Sequence, residues 1–146
     1  MLETGILALC LVVGVSDGDT LTVRCGQPGA YEQHRVRIAA IDAPEKGQPF
    51  GARSKAELSD LCFMKTAQIK QVGIDGRWGR SVATVECNGI DAGQHQVEYG
   101  YAWVYRKYAK GFGHLFPIER NARDQGRGLW ADPEPTPPWD FRIHNK

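Results

Sequence analysis

The stretch LCLVVGVSDGDTLTVR, residues 9–24, decides the fold that we predict for this chain. Two apolar, β-branched runs, Leu9–Val15 and Thr20–Arg24, flank the tetrad SDGD at positions 16–19. β-Branched residues favour strands, and an Asp-Gly pair between two such runs is a strong signal for a hairpin. The stretch therefore predicts a β-hairpin that carries acidic side chains at its turn.

A second stretch, HRVRIAAIDAPE at residues 34–45, predicts a third strand that also ends in an acidic turn. Its alternation places Val36 and Ile38 on one face and Arg37 on the other. We expect the strand to cover His34–Ile41 and to end at the DAPE segment, because Pro44 lacks the N–H that a strand ladder requires.

The rest of the chain predicts further short elements. Strands are expected over Ala67–Val72 and Ser81–Cys87, and helices over Gly51–Met64, from Asp91 to Gly100, and over Ile118–Gln125. Five strands in a Greek-key-like order with about three helices indicate a small α+β barrel. The length of 146 residues suits one domain, since domains usually have about 100–200 residues. We place that domain at residues 1–132 and a Pro-rich C-terminal tail at residues 133–146.

Charge and composition exclude several classes of protein. Lys and Arg number 18 and Asp and Glu 17, which gives a net charge of +1, and 42% of the residues are apolar. Disordered, strongly acidic and polybasic chains are thereby excluded. A nucleic-acid partner stays compatible with this balance, because a catalytic site can concentrate charge of one sign. No apolar run approaches the roughly 18 residues of a membrane-spanning helix, so we expect no membrane partner.

The cysteines at positions 10, 25, 62 and 87 leave two interpretations open. A tight turn near Gly18 places Cys10 opposite Cys25 across the hairpin, and Cys62 would then have to meet Cys87. The alternative is a cytosolic protein with four buried, inert thiols. No CxxC pair occurs, so a structural zinc site is not expected. We favour disulfides and a periplasmic or secreted protein, although the chain shows no signal peptide.

Charged side chains gather at the predicted strand ends. Four carboxylates occupy the two acidic turns: Asp17, Asp19, Asp42 and Glu45. Hard oxygen ligands of this kind suit Ca²⁺ or Mg²⁺, and two arginines, Arg37 and Arg80, are suited to clamp a phosphodiester beside such a cation. Taken singly, each of these signals is equally compatible with ordinary turn chemistry.

Taken together, the motifs resemble those of the staphylococcal nuclease (thermonuclease) family. The matching blocks are DGDT (17–20), RIAAIDAPE (37–45), GR (79–80), GYA (100–102) and GLW (128–130), in the order of that family. The resemblance implies a five-stranded OB-fold-type barrel and a Ca²⁺-dependent endonuclease. The implied reaction is hydrolysis of DNA and RNA at the 5′ P–O bond, which leaves 3′-phosphates. We expect single-stranded substrates to be preferred and the protein to be a monomer.

The resemblance also implies roles for individual residues. The protein ligands of Ca²⁺ would be Asp19, Asp42 and the backbone carbonyl of Ala43. Glu45 would be the general base or would orient the attacking water. The phosphate would be bound by Arg37 and Arg80. The chain departs from the family's best-known member at Ala43, where that protein has Thr, and in a shorter loop over residues 46–50.

A second interpretation is a catalytically weak, nuclease-like OB-fold that serves as a nucleic-acid-binding or interaction module. The hallmark of such modules is loss of the acidic and arginine residues, all of which are present here, so we favour the enzyme. The aromatic and basic segment Tyr101–Tyr108 suits either base stacking or core packing, and it stays outside the predicted site.

Overall fold

The predicted hairpin forms the first two strands of a closed barrel. A computed structural model describes residues 5–76 and 79–145. Strand β1 (Leu7–Asp17) pairs antiparallel with β2 (Thr20–Cys25), which pairs antiparallel with β3 (Glu32–Ile38). The β2–β3 register places Thr20 directly opposite Arg37. The acidic turn and the predicted phosphate-binding arginine therefore lie side by side.

The third strand ends earlier than predicted, and this changes the direction of the second acidic segment. The predicted strand His34–Ile41 stops at Ile38, because Ala40 adopts a left-handed φ of 68° within a turn. The chain then begins a new strand, β4 (Ile41–Asp42), which pairs with β8 (Trp103–Val104). Ile41 is consequently buried, although simple alternation would have placed it on the face of Arg37.

The remaining strands close the barrel. β5 (Thr66–Asp75) pairs antiparallel with β1 and with β6 (Arg80–Cys87), and β6 pairs in parallel with β3. These contacts join β1, β2, β3, β5 and β6 into one closed mixed barrel, and the short strand β7 (Ile90–Asp91) extends β6. The predicted five-stranded α+β barrel is confirmed. Residues 77 and 78, in the predicted β5–β6 connection, lie outside the described residues.

Within the described residues the barrel carries four α-helices, α1 (Gly51–Cys62), α2 (Ala92–Glu98), α3 (Leu115–Asp124) and α4 (Pro138–His144). The first three correspond to predicted helices. Asp91 caps the N-terminus of α2, because its carboxylate accepts a hydrogen bond of 2.8 Å from the Gln94 N–H. α3 begins at Leu115 rather than at Ile118, since Pro117 is tolerated in a first helical turn.

The fourth helix lies in the segment that the sequence indicated only as a Pro-rich tail. α4 begins at Pro138, whose fixed φ suits the first helical position, after Pro137 in an extended conformation. In residues 5–76 and 79–145 no helix has the length and apolarity needed to cross a membrane.

The hydrophobic core fills the barrel interior and the contact between the barrel and α1. Two disulfides lie at the border of this core. Cys10 and Cys25 are paired in the β1–β2 register and form one disulfide, as predicted from the turn position. The second disulfide joins Cys62 at the end of α1 to Cys87 at the end of β6. Fully buried aliphatic side chains fill the space between the strands and α1, among them Val12, Leu21, Val23, Val36, Ile38, Leu58, Ile69 and Val85.

Candidate active site

The acidic turn between β1 and β2 is held against two helices. Gly18 packs so closely on α1 that an added Cβ would lie 2.8 Å from the Cβ of Ser54 and 2.9 Å from the Cβ of Ala43. The buried Gln96 of α2 donates from Nε2 to the Gly18 carbonyl at 2.9 Å and to the Ser54 carbonyl at 3.0 Å. Close packing and hydrogen bonds together fix the position of the neighbouring Asp19.

Asp19 is buried, and both of its carboxylate oxygens have partners. Oδ1 accepts from the Thr20 hydroxyl at 2.9 Å, and Oδ2 accepts from the Ala43 N–H at 2.8 Å. The Asp17 carboxylate accepts from the Asp19 N–H at 3.1 Å and so closes the turn. The bond to Ala43 joins the two acidic segments that the sequence indicated separately.

Arg37 lies between the two buried aspartates. Its Nη1 donates to the carbonyl of Ile41 at 2.8 Å, which orients the guanidinium. Its Nη2 is 3.5 Å from Asp42 Oδ1 and 3.9 Å from Asp19 Oδ2. Carboxylate oxygens of both aspartates therefore face the same nitrogen of Arg37.

Asp42 and Glu45 share a second arginine, which the sequence did not indicate. Asp42 is fully buried, and both of its oxygens accept from Arg142 of α4, at 2.6 and 3.0 Å. The same guanidinium donates to Glu45 Oε1 at 2.5 Å. Arg142 follows Asp42 by 100 residues, and no motif in the tail pointed to it.

Three carboxylates, those of Asp19, Asp42 and Glu45, face the two guanidiniums of Arg37 and Arg142. Burial, together with the charge of Asp19, raises the pKa of Asp17 to about 8. Burial also raises the pKa of Asp42 above its usual value, although the hydrogen bonds from Arg142 oppose the shift. Burial also tends to raise the pKa of Asp19, but the positive charge of Arg37 and the hydrogen bonds to the Asp19 oxygens have the larger effect, so the pKa of Asp19 is lowered. Such a cluster favours additional positive charge.

Arg80 is attached to the edge of the cluster. Its Nη2 donates to Asp75 Oδ2 at 2.7 Å, across the β5–β6 pair, and its Nη1 lies 3.4 Å from the Thr20 hydroxyl. Its Nε is buried without a hydrogen-bond partner among the described residues. Thr20 therefore links Arg80 to Asp19, and Asp75 is a positioning partner that the motif comparison did not include.

A groove leads away from Arg37. It has a volume of about 560 Å³ and is lined by apolar residues of β5 together with Lys107, Tyr108 and Lys110. The Tyr108 ring is largely exposed, and it packs edge-on against Tyr105, with ring centroids 5.2 Å apart. Trp103 instead packs between Trp130 and Trp139. The segment Tyr101–Tyr108 thus divides between packing and an exposed, basic and aromatic surface.

The structure brings five of the six predicted site residues together and places the sixth at the edge. Asp19, Arg37, Asp42, Ala43 and Glu45 come from the β1–β2 turn, from β3 and from the β4 segment. Arg80 reaches the group through Thr20. The catalytic and metal-binding roles given to these residues stay predictions, whereas their convergence is a structural finding.

Comparisons with known proteins agree with this arrangement. The family model described as "Staphylococcal nuclease homologue" matches residues 35–132. A Haemophilus influenzae protein named "Uncharacterized endonuclease" is 41% identical over 137 residues, covering 94% of this chain and 74% of that protein. A Shigella flexneri protein named "Micrococcal nuclease" is 38% identical over 145 residues, covering 92% of this chain and 80% of that protein.

A closed OB-fold-type barrel with a carboxylate–arginine cluster at one edge defines the class of phosphodiesterases that act on nucleic acids. The chain belongs to the staphylococcal nuclease family. It is therefore an enzyme, an endonuclease, and its substrate is nucleic acid. The predicted family membership and enzyme class are confirmed.

Proposed function

We propose that this nuclease depends on Ca²⁺, hydrolyses DNA and RNA at the 5′ P–O bond and leaves 3′-phosphate ends. The observation that carries the proposal is the pair of buried oxygens, Asp19 Oδ2 and Asp42 Oδ1, facing one nitrogen of Arg37. Two carboxylates, an adjacent backbone carbonyl and an arginine are an arrangement that suits a hard cation and a phosphate on the same site.

The donor chemistry fits calcium. Carboxylate and carbonyl oxygens are the ligands that Ca²⁺ prefers, usually six to eight of them. Among the described residues no three Asp, Glu, His or Cys side chains form a metal site by themselves. The proposed site therefore uses Asp19, Asp42 and the Ala43 carbonyl, and leaves the other positions to water and a substrate oxygen. When bound, the ion would lower the negative charge of the phosphodiester and so favour attack on phosphorus.

Glu45 is the proposed base. Its side chain is one-third exposed, and the Gln48 side chain holds its backbone N–H at 2.9 Å. An exposed carboxylate beside a buried metal-binding one can accept a proton from a water that reaches the site from solvent. Asp42, in contrast, is fully enclosed and suits a ligand rather than a base.

The two arginines are proposed to bind the phosphodiester and to stabilise the charge that develops on its oxygens. Arg37 is oriented by the Ile41 carbonyl, and Arg80 by the Asp75 carboxylate. Donors that are fixed before substrate arrives need little reorganisation during the reaction.

The groove beside Arg37 supports a preference for single strands. Lys107 and Lys110 supply positive charge along it, and the exposed Tyr108 ring offers a face for a base. Unpaired bases can stack on such rings, whereas the bases of a duplex are already stacked on each other. We therefore propose that denatured DNA and RNA are cut faster than duplex DNA.

Calcium dependence and product ends can be tested together. Cleavage of denatured DNA, followed by absorbance, should require Ca²⁺ and stop when a chelator is added. The products should become substrates for a DNA polymerase only after a 3′-phosphatase has treated them. Cleavage supported by Mg²⁺ but not by Ca²⁺ would contradict the metal assignment, and products that a polymerase extends directly would contradict the bond assignment.

We also propose a monomer that works in an oxidising compartment, the periplasm or the extracellular space. One chain supplies all the proposed ligands, the base and both arginines, so a partner is not needed to complete the site. Two disulfides that use all four cysteines support the compartment, since such bonds are rare in reducing cytosol. Size-exclusion chromatography with light scattering, and fractionation of the source cells, test the two statements.

A further inference from the structure

The C-terminal segment crosses the face of the barrel that carries the candidate site. Residues 135–137 lead into α4 without regular secondary structure, and the Thr136 carbonyl accepts a hydrogen bond of 2.6 Å from Gln48 Nε2. The same Gln48 side chain accepts from the Glu45 N–H. The tail is therefore tied to the loop that carries the proposed base.

Aromatic contacts also attach α4 to the barrel. Trp139, in the first turn of α4, stacks on the Tyr105 ring with a centroid separation of 5.5 Å and an interplanar angle of 19°. It also meets the edge of Trp103, again at 5.5 Å. These contacts place α4 over the site and aim Arg142, one turn later, at the carboxylates.

Arg142 engages the oxygens that a metal ion would require. Its two Nη atoms bind both oxygens of Asp42, and Nη1 also binds Glu45. A bidentate guanidinium takes up one lone pair on each oxygen and repels a second positive charge, so it competes with a cation for the same carboxylate. Arg142 would also hold the Glu45 carboxylate and so prevent it from accepting a proton from water.

We propose that α4 is an autoinhibitory strap, in which Arg142 competes with a divalent cation for Asp42 and with the attacking water for Glu45. The inference rests on the proposed metal-dependent function. Binding of the cation displaces Arg142 and releases α4 from the carboxylates of Asp42 and Glu45. The exchange replaces the single positive charge of the guanidinium with the double charge of the cation, so the buried Asp42 carboxylate keeps a positively charged partner.

The attachment of the strap is suited to release. Arg142 is 39% exposed while its partner Asp42 is almost fully enclosed, so solvent can reach the guanidinium as it withdraws. Ile143, the next residue, is largely exposed and adds little burial to the closed position. α4 is only 7 residues long, and so short a helix depends on its contacts with the barrel.

Calorimetric titration with CaCl₂ tests the competition. Arg142→Gln removes the charge and keeps a polar side chain, and Arg120→Gln is the matched control, an exposed arginine on α3. A closed strap reduces the apparent affinity in proportion to the open fraction, so we expect Arg142→Gln to bind Ca²⁺ about tenfold or more tightly than the wild-type chain. The Arg120→Gln control should bind Ca²⁺ as the wild-type chain does.

Hydrogen exchange on the wild-type chain provides a second measurement that needs no variant. Saturating Ca²⁺ should speed amide exchange in residues 139–145 while exchange in α3 stays the same or slows. The strap is contradicted if Ca²⁺ binds but leaves the tail amides as protected as before, or if Arg142→Gln binds Ca²⁺ no more tightly than the wild-type chain.

The outcomes distinguish failure of the strap proposal from failure of the proposed metal-dependent function. Ca²⁺ binding that Asp42→Asn abolishes, with no effect of Arg142→Gln and no change in the tail, overturns the strap alone. Absence of Ca²⁺ binding in both the wild-type and Arg142→Gln chains overturns the metal assignment and the strap together.

Discussion

The acidic turn offers a sharp test of how packing positions the site. Gly18→Ala would place a methyl group on the Ser54 hydroxyl, with carbon–carbon distances of 2.8 Å to Ser54 Cβ and 2.9 Å to Ala43 Cβ. Carbon atoms pack best at about 3.5–4.0 Å, so either the turn or α1 must move. Overpacking of this kind costs about 1–3 kcal/mol, and we expect the free energy of unfolding to fall by that amount.

Urea unfolding followed by tryptophan fluorescence measures the change, and Gly14→Ala is the matched control. Gly14 lies in the same hairpin, but its added Cβ would meet Thr22 Cβ at an ordinary 3.5 Å. The control should change the free energy of unfolding by no more than about 1 kcal/mol in either direction, since a tolerated Gly→Ala replacement acts mainly on the unfolded chain.

The same pair of variants links packing to activity. Gly18 precedes Asp19, so a displaced turn also moves a proposed metal ligand. Nuclease activity of the folded Gly18→Ala protein should therefore fall, whereas that of Gly14→Ala should match the wild type. Equal unfolding free energies and equal activities for the two variants would refute the argument that contact with Ser54 and Ala43 fixes the turn.

Three further predictions address other parts of the structure. Arg80→Ala should lower the cleavage rate about 10²–10³-fold while calorimetry shows unchanged Ca²⁺ binding, because it removes a phosphate donor and no metal ligand; a near-wild-type rate would contradict its role. Replacing Cys62 and Cys87 together by Ser should lower the free energy of unfolding in urea by about 3 kcal/mol, because the disulfide closes a loop with a sequence separation of 25. A loss below about 1 kcal/mol would show that the bond does not restrict the unfolded chain. Glu119→Ala should lower the free energy of unfolding by about 1–3 kcal/mol in the same assay, because the buried carboxylate accepts a hydrogen bond from the Val104 N–H at 2.6 Å. Glu119→Gln should lower it less, because the glutamine side chain keeps an acceptor. Equal losses for the two variants would contradict this assignment.

The local features of the fold were predictable because neighbouring residues determine them. The DGDT turn fixes the β1–β2 hairpin, and the turn position placed Cys10 opposite Cys25, although it did not decide whether the two thiols form a bond. The Asp91 cap marks the start of α2 in the same way. In each case the interacting groups are close in sequence, so spacing determines geometry.

Features that depend on distant contacts were not predictable. The left-handed turn at Ala40 has no glycine to signal it, and the pairing of β4 with β8 holds it in place. Glu119 has the spacing of a surface ion pair with Arg123, yet the β8 backbone buries it. Arg142 lies in a Pro-rich tail, and only the folded chain brings it to Asp42.

The candidate site likewise has features that the sequence predicted and features that it did not. The motifs identified Asp19, Arg37, Asp42, Ala43, Glu45 and Arg80, because short blocks of the sequence resemble those of the family and occur in the same order. They did not identify the residues that hold these side chains in place, such as Gln96 behind the turn and Asp75 beside Arg80. Those partners come from other elements, and their spacing in the sequence carries no signal of the contact.

The most direct test of the central claim is the single-turnover rate of DNA cleavage by Glu45→Gln at saturating Ca²⁺, with calorimetric Ca²⁺ binding measured on the same sample. If Glu45 takes the proton from the attacking water, the rate should fall about 10²–10⁴-fold while Ca²⁺ still binds. A rate close to that of the wild-type chain, with Ca²⁺ bound, would contradict the proposed role of Glu45 and the mechanism built on it.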